Sequence, residues 1–531
     1  MRETHEGVIN ILFIMCDQLR ADYLSCYGHP HLKTPNIDVL AAHGVRFNRA
    51  YCQAPLCGPS RASFYTGRYM SSHGVMANAD PLKMGELTLG DYLRAARMTA
   101  VVVGKSEGSP NLVALERFQI DQSSTEGQQL ANNGFLPFEL FSGIYPDPIL
   151  PKGLGYNAYL RSHGFDGDNP WEEWANSAID SKGKRVSGWQ MRNAGLPARL
   201  PEEHSETAFT TRRAIEFLDS VDPDESWCMH LSYIKPHWPY LAPAPYHTRY
   251  HKDHVVPAVR DERERHNPHP VYQAFMAQDY SQNFSRDKVR DTVIPAYMGL
   301  IQQVDDHVGR VLAHLEKKGL RERTWIVFSS DHGDYLGDHW LGEKDLFHEP
   351  SVRIPLIICD PSTRADGTRG RVVEEFVEAV DVVPTLVEVA GGTVPLERIE
   401  GRSLLPFVHQ QVAAPSWRDC AISEIDFSDR GPRTLLRLHP HECRARMIRT
   451  AKWKYVLHEH FPPQLFDLVN DPHEFIDLGE DPGYRSARQE NYDRLFTWFR
   501  GLKVRTEMPI EALFDMGPEL DEELGIMIGH W

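Results

Sequence analysis

The chain has 531 residues, of which 57 are Lys or Arg and 74 are Asp or Glu, so its formal net charge is −17 at pH 7. This acidic balance argues against a nucleic-acid-binding protein, which needs a basic face to replace the counterions of the phosphate backbone. It also disfavours a polyanionic substrate, unless basic side chains gather in one place. A hydrophobic fraction of 41% excludes a disordered chain, and the length favours more than one domain.

The sequence has no apolar run long enough to cross a membrane. The longest early run, residues 8–15, is far shorter than the roughly 20 residues that a spanning helix needs. It also lacks the basic flank of a signal peptide, so we expect a cytoplasmic protein that does not bind membranes. Eight cysteines are spread thinly, without paired spacing, and most are expected to be buried thiols.

Short apolar runs alternate with amphipathic stretches along most of the chain. Strands are predicted for residues 9–15, 99–103, 227–234, 324–329 and 355–358. Helices are predicted for residues 36–43, 87–98, 206–218, 297–317 and 381–389. Strands and helices that alternate in this way indicate the α/β class, with a large mixed, mostly parallel sheet sandwiched by helices.

The organisation changes in three places. Residues 106–203 and 250–291 are polar with poor periodicity, and are predicted to be long excursions over the sheet edge. After about residue 407, short paired strands at 446–448 and 453–457 indicate a smaller α+β domain. We therefore predict a larger domain over residues 1–407 and a C-terminal domain over residues 408–531. The tail, residues 509–531, is acidic but contains many apolar side chains, which predicts subunit contacts in a homodimer or homotetramer.

Polar side chains directly follow four of the predicted strands. These residues are Asp17 and Gln18, Lys105, Lys235 and His237, and Asp331 and His332. In open α/β sheets, ligands bind outside the carboxyl ends of the strands. Four such strand ends indicate one site assembled from distant segments.

Some of these side chains match the ligands of a divalent metal ion. Asp17, Asp331 and Gln18 offer oxygen atoms, and His332 offers one imidazole. This mixture suits a single Ca²⁺, Mn²⁺ or Mg²⁺ ion better than Zn²⁺. The alternative is that the carboxylates only form turns and caps after their strands.

A cysteine-containing segment, Cys57-Gly58-Pro59-Ser60-Arg61, has an unusual composition. Pro59 can open a helix, which would put Cys57 just before a helix N-terminus, where amide groups and the helix dipole favour an anion. Arg61 adds a fixed cation. A lone cysteine before a helix is more often structural, but the whole segment argues for a function.

This segment resembles the signature of the sulfatase family, within the alkaline phosphatase superfamily. In that family the cysteine of the signature is oxidised to Cα-formylglycine. Further matching positions are Asp17, Thr34-Pro35-Asn36-Ile37-Asp38, Thr66-Gly67, Gly104-Lys105, Lys235-Pro236-His237, Ser330-Asp331-His332-Gly333, Lys344 and Arg353-Ile354-Pro355-Leu356. Within the family, Gln18, Asn78, His332 and residues 243–247 resemble the branch of phosphonate monoester hydrolases and arylsulfatases.

The resemblance implies an alkaline-phosphatase-like fold and a role for each matching residue. The implied metal site contains Asp17, Gln18, the modified Cys57, Asp331 and His332. The implied catalytic residues are Cys57, Arg61, which would hold the formylglycine hydrate, and Lys105, His237, Lys344 and Asn78, which would meet the charge of the transition state. A formylglycine-generating enzyme is the implied partner during maturation.

The reaction implied by the resemblance is formylglycine- and metal-dependent hydrolysis of sulfate monoesters, with a small anionic ester as substrate. The alternative is a phosphonate monoester hydrolase or phosphodiesterase that uses the same site. A non-catalytic metal-binding homologue is disfavoured, because metal residues, signature and cations are all present. A two-zinc phosphatase or mutase is disfavoured because the sequence shows no second Asp/His cluster.

Glu107 departs from the pattern of the family. Many sulfatases have a histidine two residues after the lysine that matches Lys105, whereas phosphonate hydrolases have a tyrosine in place of that lysine. Lys105 thus favours sulfate monoesters, while Glu107 leaves the choice between sulfur and phosphorus esters open.

Overall fold

The computed structural model describes residues 8–515 apart from 79, 148 and 410–416. Its strands, in chain order, are β1 (Asn10–Asp17), β2 (Val45–Tyr51), β3 (Thr99–Gly104), β4 (Leu136–Leu140), β5 (Ser177–Ile179), β6 (Arg185–Ser187), β7 (Trp227–Pro236), β8 (Thr324–Ser330), β9 (Arg353–Cys359), β10 (Arg371–Glu378), β11 (Cys420–Asp426), β12 (Arg444–Thr450), β13 (Trp453–His458) and β14 (Gln464–Asp467).

The α-helices surround these strands. In chain order they are α1 (Pro35–His43), α2 (Cys57–Thr66), α3 (Met70–His73), α4 (Leu89–Ala95), α5 (Leu112–Phe118), α6 (Thr125–Ala131), α7 (Gly155–Ser162), α8 (Glu206–Ser220), α9 (Pro270–Met276), α10 (Asp279–Phe284), α11 (Asp287–Lys317), α12 (Glu349–Val352), α13 (Val382–Val389), α14 (Leu405–Val408), α15 (Gly431–Leu436), α16 (Arg485–Arg500) and α17 (Ile510–Asp515).

The large sheet has the strand order β10-β2-β9-β8-β1-β7-β3-β4. The strands β8, β1, β7, β3 and β4 pair in parallel, and so do β10 and β2. Strand β9 is antiparallel to both of its neighbours, β2 and β8. The sheet is therefore mixed and mostly parallel, and the predicted fold class is confirmed.

Both faces of the sheet are buried, as the central strand β1 shows. Ile11, Phe13 and Met15 belong to the core on one face, and Leu12 and Ile14 belong to the core on the other. Successive side chains of a strand point to opposite faces, so a fully apolar strand needs a cover on each side. Residues of α2, α4 and α13 contribute to the first core, and residues of α1, α8 and α11 contribute to the second.

Some predicted elements have a different extent in the structure, and some elements of the structure were not predicted. Helix α11 begins at Asp287, ten residues before the predicted start. The earlier start was not predicted because these first turns are largely polar and contain Pro295. Strands β2 and β10 were not predicted, since their apolar residues are interrupted by charged ones near the edge of the sheet. The stretch 106–203 is not only an excursion: its residues 136–140 form the edge strand β4, which pairs with β3.

The C-terminal part forms a separate antiparallel sheet of order β11-β12-β13-β14. Ile448, Tyr455 and Leu465 of this sheet pack with Leu495 of α16 and with Val380 of the larger domain. The boundary between residues 407 and 408 stays a prediction. The proposed subunit contacts of the tail rest mainly on residues 516–531, which lie outside the described residues. Within the described ranges, no helix combines the length and apolarity of a membrane span.

The parallel strands β8, β1, β7 and β3 end at one edge of the sheet. There β3 and β7 approach so closely that a Cβ added to Gly104 would lie 2.0 Å from the backbone oxygen of Ser232. Gly104 also has a φ of +107°, which L side chains rarely adopt. This glycine therefore allows Lys105 to leave the strand directly beside β7.

Candidate active site

The structure brings together most of the residues predicted for the site. Asp17 is the last residue of β1, and Lys105, His237 and Asp331 follow directly on β3, β7 and β8. Cys57 is the first residue of α2 rather than the residue before it, because Leu56 is the N-cap and Pro59 occupies the third helical position. The side chains of these residues are almost completely buried.

Four of the side chains form a cluster that could hold a metal ion. One donor atom each from Asp17, Cys57, Asp331 and His332 lies within 4.8 Å of the others. The Cys57 Sγ atom is 3.2 Å from His332 Nε2 and 3.8 Å from Asp17 Oδ1. Two buried carboxylates this close repel each other, so a cation between them would be stabilising.

Arg61 holds the outer oxygens of both carboxylates. Its Nε atom is 2.9 Å from Asp331 Oδ2, and its Nη2 atom is 3.3 Å from Asp17 Oδ2. The remaining donors reach the backbone oxygen of Lys105 at 2.9 Å and Ser232 Oγ at 2.8 Å. The guanidinium thus lies behind the carboxylates and leaves their Oδ1 atoms directed at the cluster. The predicted contact of Arg61 with a formylglycine hydrate stays a prediction.

Hydrogen bonding sets the tautomer of His332. Its Nδ1 atom lies 2.9 Å from the backbone oxygen of Gly333, which can only accept, so Nδ1 carries the proton. Burial lowers the pKa of His332 and favours the neutral ring. The lone pair of Nε2 therefore points into the cluster, which is the usual arrangement of a metal-binding histidine.

Gln18 connects the cluster to Lys344. Its backbone N–H donates to Asp331 Oδ1 at 3.0 Å, and its side-chain amide donates to Asp334 Oδ2 at 2.6 Å. The amide oxygen accepts a hydrogen bond from Lys344 Nζ at 2.9 Å. The structure thus places Gln18 beside the cluster, and its role as a metal ligand stays a prediction.

Lys344 and His237 face the Cys57 side chain together. Lys344 Nζ is 3.5 Å from Cys57 Sγ and 3.2 Å from His237 Nε2. The His237 Nδ1 atom donates to the backbone oxygen of Trp238 at 2.7 Å, so Nε2 accepts from Lys344. Burial and the neighbouring Lys344 lower the pKa of His237 well below its ordinary value. Burial opposes the charge of Lys344, but its neighbours Cys57 and Glu343 outweigh burial and raise its pKa.

Lys105 is the second lysine of the site and pairs with two carboxylates. Its Nζ atom is 2.7 Å from Asp17 Oδ2 and 2.9 Å from Glu107 Oε2. Burial raises the pKa of Asp17, but Lys105 and the other nearby cations reverse this effect and hold it well below its ordinary value. Asp17 is therefore ionised at neutral pH.

Asn78 contacts the first turn of α2. Its Oδ1 atom accepts a hydrogen bond from the backbone N–H of Gly58 at 2.9 Å. A Cβ added to Gly58 would lie 2.8 Å from Asn78 Cα, so the glycine permits this close approach. Contact of Asn78 with the transition state stays a prediction.

The Cys57 thiol itself is a poor nucleophile at neutral pH. A helix N-terminus favours an anion, but burial and the nearby Asp17 carboxylate raise the pKa of Cys57 to about 12. A cysteine in this position therefore suits the site better as the precursor of a modified side chain than as a thiolate.

Sequence reasoning missed two groups at this site. Ser232 accepts a hydrogen bond from Arg61, but a single serine within an apolar strand carries no signal of this role. Glu343 lies 4.0 Å from Lys344 Nζ, and burial raises its pKa to about 7. The position of Glu343 next to Lys344 in the chain was the one sequence feature that could have indicated it.

Comparison with known proteins shows the family of the chain. A family model described as Sulfatase matches residues 9–392, and one described as N-sulphoglucosamine sulphohydrolase, C-terminal, matches residues 337–498. The chain belongs to the sulfatase family. The sulfatase match includes all the residues of the cluster, and the second match includes all four strands of the C-terminal sheet.

Three relatives illustrate the range of the family around this chain. It is 32% identical over 516 residues to the multifunctional alkaline phosphatase superfamily protein PehA of Trinickia caryophylli, covering 92% of this chain and 95% of that protein. It is 27% identical over 490 residues to an arylsulfatase of Clostridium perfringens, covering 90% and 91%. The crystal structure of a phosphonate monoester hydrolase of Agrobacterium radiobacter matches with a TM-score of 0.79, 28% identity and coverage of 94% and 97%.

The contacts of Arg61 predict how the cluster responds to its substitution. Arg61→Lys keeps the charge but cannot bind Asp17 and Asp331 at once. We expect metal affinity to fall roughly 10- to 100-fold and the free energy of unfolding of the metal-free protein to fall by about 3 kcal/mol. Chelator competition and urea unfolding measure the two effects.

The control is Arg263→Lys, whose exposed pair with Asp261 should contribute little. Unchanged metal affinity and stability in Arg61→Lys would show that the guanidinium does not organise the carboxylates.

Proposed function

We propose that the protein hydrolyses sulfate monoesters in the manner of an arylsulfatase, with Cys57 in its formylglycine form and one divalent metal ion. The observation that carries the proposal is the meeting of three groups at the start of α2: the Sγ atom of Cys57, Lys344 Nζ at 3.5 Å and His332 Nε2 at 3.2 Å. A modifiable side chain, a cation and a metal-binding imidazole are thus in contact at one point.

The residues present fit a divalent ion. Asp17, Asp331 and the neutral His332 would hold it, with Gln18 and the modified Cys57 beside them. Mostly oxygen donors with one imidazole favour Ca²⁺ or Mn²⁺, with Mg²⁺ also compatible. When bound, the ion and the formylglycine together supply an activated hydroxyl nucleophile at neutral pH.

The cationic side chains of the site would bind the ester and stabilise its transition state. Lys105 contacts Asp17 of the cluster and Lys344 contacts Gln18 and Cys57, so hydrogen bonds and ion pairs hold both lysines at the site. Donors that are fixed before the reaction stabilise charge on the transferring group without the cost of reorienting water. Arg61 acts as a positioning residue, because it reaches the site through Asp17 and Asp331.

Lys344 or His237 would supply the proton for the leaving alcohol. The contact of His237 Nδ1 with the backbone oxygen of Trp238 leaves Nε2 as the acceptor of the hydrogen bond from Lys344 Nζ, so the proton between the two side chains belongs to Lys344. Lys344 is therefore the better general acid in the resting site, and His237 orients it.

The same geometry supports a second candidate, hydrolysis of phosphonate monoesters or phosphodiesters. The fold matches that of a phosphonate monoester hydrolase with a TM-score of 0.79, and the chain is 32% identical to a multifunctional relative. Sulfate and phosphonate monoesters have the same tetrahedral shape and the same single charge, so one set of donors can serve both.

The site residues are almost fully buried, which favours a small anionic ester over a long polyanion. We propose a cytoplasmic enzyme, matured by a formylglycine-generating enzyme, that acts as a homodimer or homotetramer without nucleic acid or membrane partners.

Parallel rate measurements test the proposed reaction. With 4-nitrophenyl sulfate, a 4-nitrophenyl phosphonate monoester and a bis(4-nitrophenyl) phosphodiester, we expect the sulfate ester to have the highest kcat/KM, because Lys105 is present. A phosphonate monoester or phosphodiester preferred by orders of magnitude would replace the first function with the second. No turnover of any of the three by metal-loaded, modified enzyme would refute both.

Substitution of Lys344 tests its assignment as general acid. We expect Lys344→Ala to lower kcat roughly 100- to 1000-fold. The loss should be larger for phenyl sulfate than for 4-nitrophenyl sulfate, because the poorer leaving group needs the proton more. The exposed Lys182→Ala is the matched control. An equal loss with both esters would show that Lys344 acts only by its charge.

A further inference from the structure

The ammonium group of Lys105 lies between two carboxylates with different roles. Asp17 Oδ2, at 2.7 Å, belongs to the metal cluster, whereas Glu107 Oε2, at 2.9 Å, lies outside it. A lysine has three N–H donors, so one remains for the ester oxygen after these two contacts. Glu107 thus partly neutralises Lys105, which would attract the substrate. The proposed chemistry does not require Glu107.

The backbone holds Glu107 in a fixed position. Its φ is +52°, a conformation that residues other than glycine adopt rarely. The preceding Ser106 is fixed by two hydrogen bonds of 3.1 Å: its backbone oxygen accepts from Asn133 Nδ2 and its Oγ atom donates to Asn132 Oδ1. A strained residue that its surroundings hold beside a reactive centre indicates a functional constraint.

Glu107 also lies on the outer side of Lys105. The Glu107 side chain is 16% exposed and the Lys105 side chain is 2% exposed. An anion that enters the site and approaches Lys105 from solvent therefore meets the field of Glu107 as well.

Glu107 adds one negative charge beside the cations of the site, because its carboxylate pairs with Lys105 and is not part of the metal cluster. Removal of Glu107 would leave the site one unit more positive, whatever metal ion it holds. That extra charge would strengthen the binding of a dianion more than that of a monoanion.

We propose that Glu107 selects substrates by charge: it admits singly charged esters and disfavours doubly charged anions. The inference rests on the proposed function and names its substrate class. Sulfate monoesters, phosphonate monoesters and phosphodiesters carry one negative charge at neutral pH, whereas phosphate monoesters carry nearly two.

The selection also applies to the product. A sulfate monoester and water give the alcohol, inorganic sulfate with two negative charges, and one proton. The substrate therefore gains a charge as it becomes product. The same repulsion that excludes phosphate monoesters thus promotes the release of sulfate.

Glu107→Gln tests the selection, since it keeps a hydrogen-bond acceptor for Lys105 and removes only the charge. We expect the ratio of kcat/KM for 4-nitrophenyl phosphate to that for 4-nitrophenyl sulfate to rise roughly 10- to 100-fold. Glu107→Asp keeps the charge and should keep the ratio near that of the unchanged enzyme. Glu116→Gln removes an exposed charge on α5 and should change neither rate.

Direct binding provides a readout that does not depend on turnover. In calorimetric titrations of the metal-loaded enzyme, Glu107→Gln should bind inorganic sulfate about tenfold more tightly. Its affinity for methyl sulfate, a singly charged analogue, should change much less. If Glu107→Gln does not fold, Glu107→Gly removes the same charge and suits the positive φ.

The outcomes separate the inference from the function on which it rests. A folded Glu107→Gln enzyme with an unchanged substrate ratio and unchanged sulfate affinity would overturn the role of Glu107 and leave the proposed function intact. If the unchanged enzyme hydrolyses no singly charged ester, the proposed function fails first. Equal gains for singly and doubly charged ligands would also overturn the inference, because they would indicate a change of shape rather than charge.

Discussion

One buried guanidinium joins the parts of the site. Arg61, from helix α2, binds Asp17 at the end of β1, Ser232 in β7, the backbone oxygen of Lys105 after β3 and Asp331 after β8. Burial of an arginine and two aspartates is costly unless every donor and acceptor is matched. Here the matching takes place between segments far apart in the chain, so the cluster forms only when four neighbouring strands and the helix are in register. The position of Cys57 follows from the same contacts, because it lies one helical turn before Arg61.

The net charge of the whole molecule and the local charges of the site have different consequences for binding. The net charge of −17 belongs to the chain as a whole and argues against nucleic acid as a partner. In the site, each lysine has its own carboxylate, Glu107 for Lys105 and Glu343 for Lys344. The anionic ester of the proposed function would therefore be attracted by locally paired cations rather than by an overall positive field. Such a site favours compact ligands whose oxygens can reach individual donors.

The sequence predicted the strands and the residues at their ends better than the contacts between them. Strand β1 and Asp17 were predictable because eight buried residues end at a carboxylate. The signature around Cys57 was recognisable as a local pattern. By contrast, β2 was missed because charged residues near the sheet edge obscure its apolar face. The pairing of Lys105 with Glu107 depends on the positive φ of Glu107, which no sequence pattern indicates. The position of Arg61 behind the carboxylates depends on packing between distant segments. No spacing within the chain encodes those distances.

We propose that the cluster holds a side chain made from Cys57 and not a thiol. Mass spectrometry of the peptide that contains Cys57, from active protein made in its native host, tests it most directly. We expect formylglycine or its hydrate at this position, in proportion to the sulfate ester hydrolase activity of the preparation. An unmodified cysteine in fully active protein would refute the proposed modification, because burial and Asp17 keep that thiol protonated and leave the site without its nucleophile.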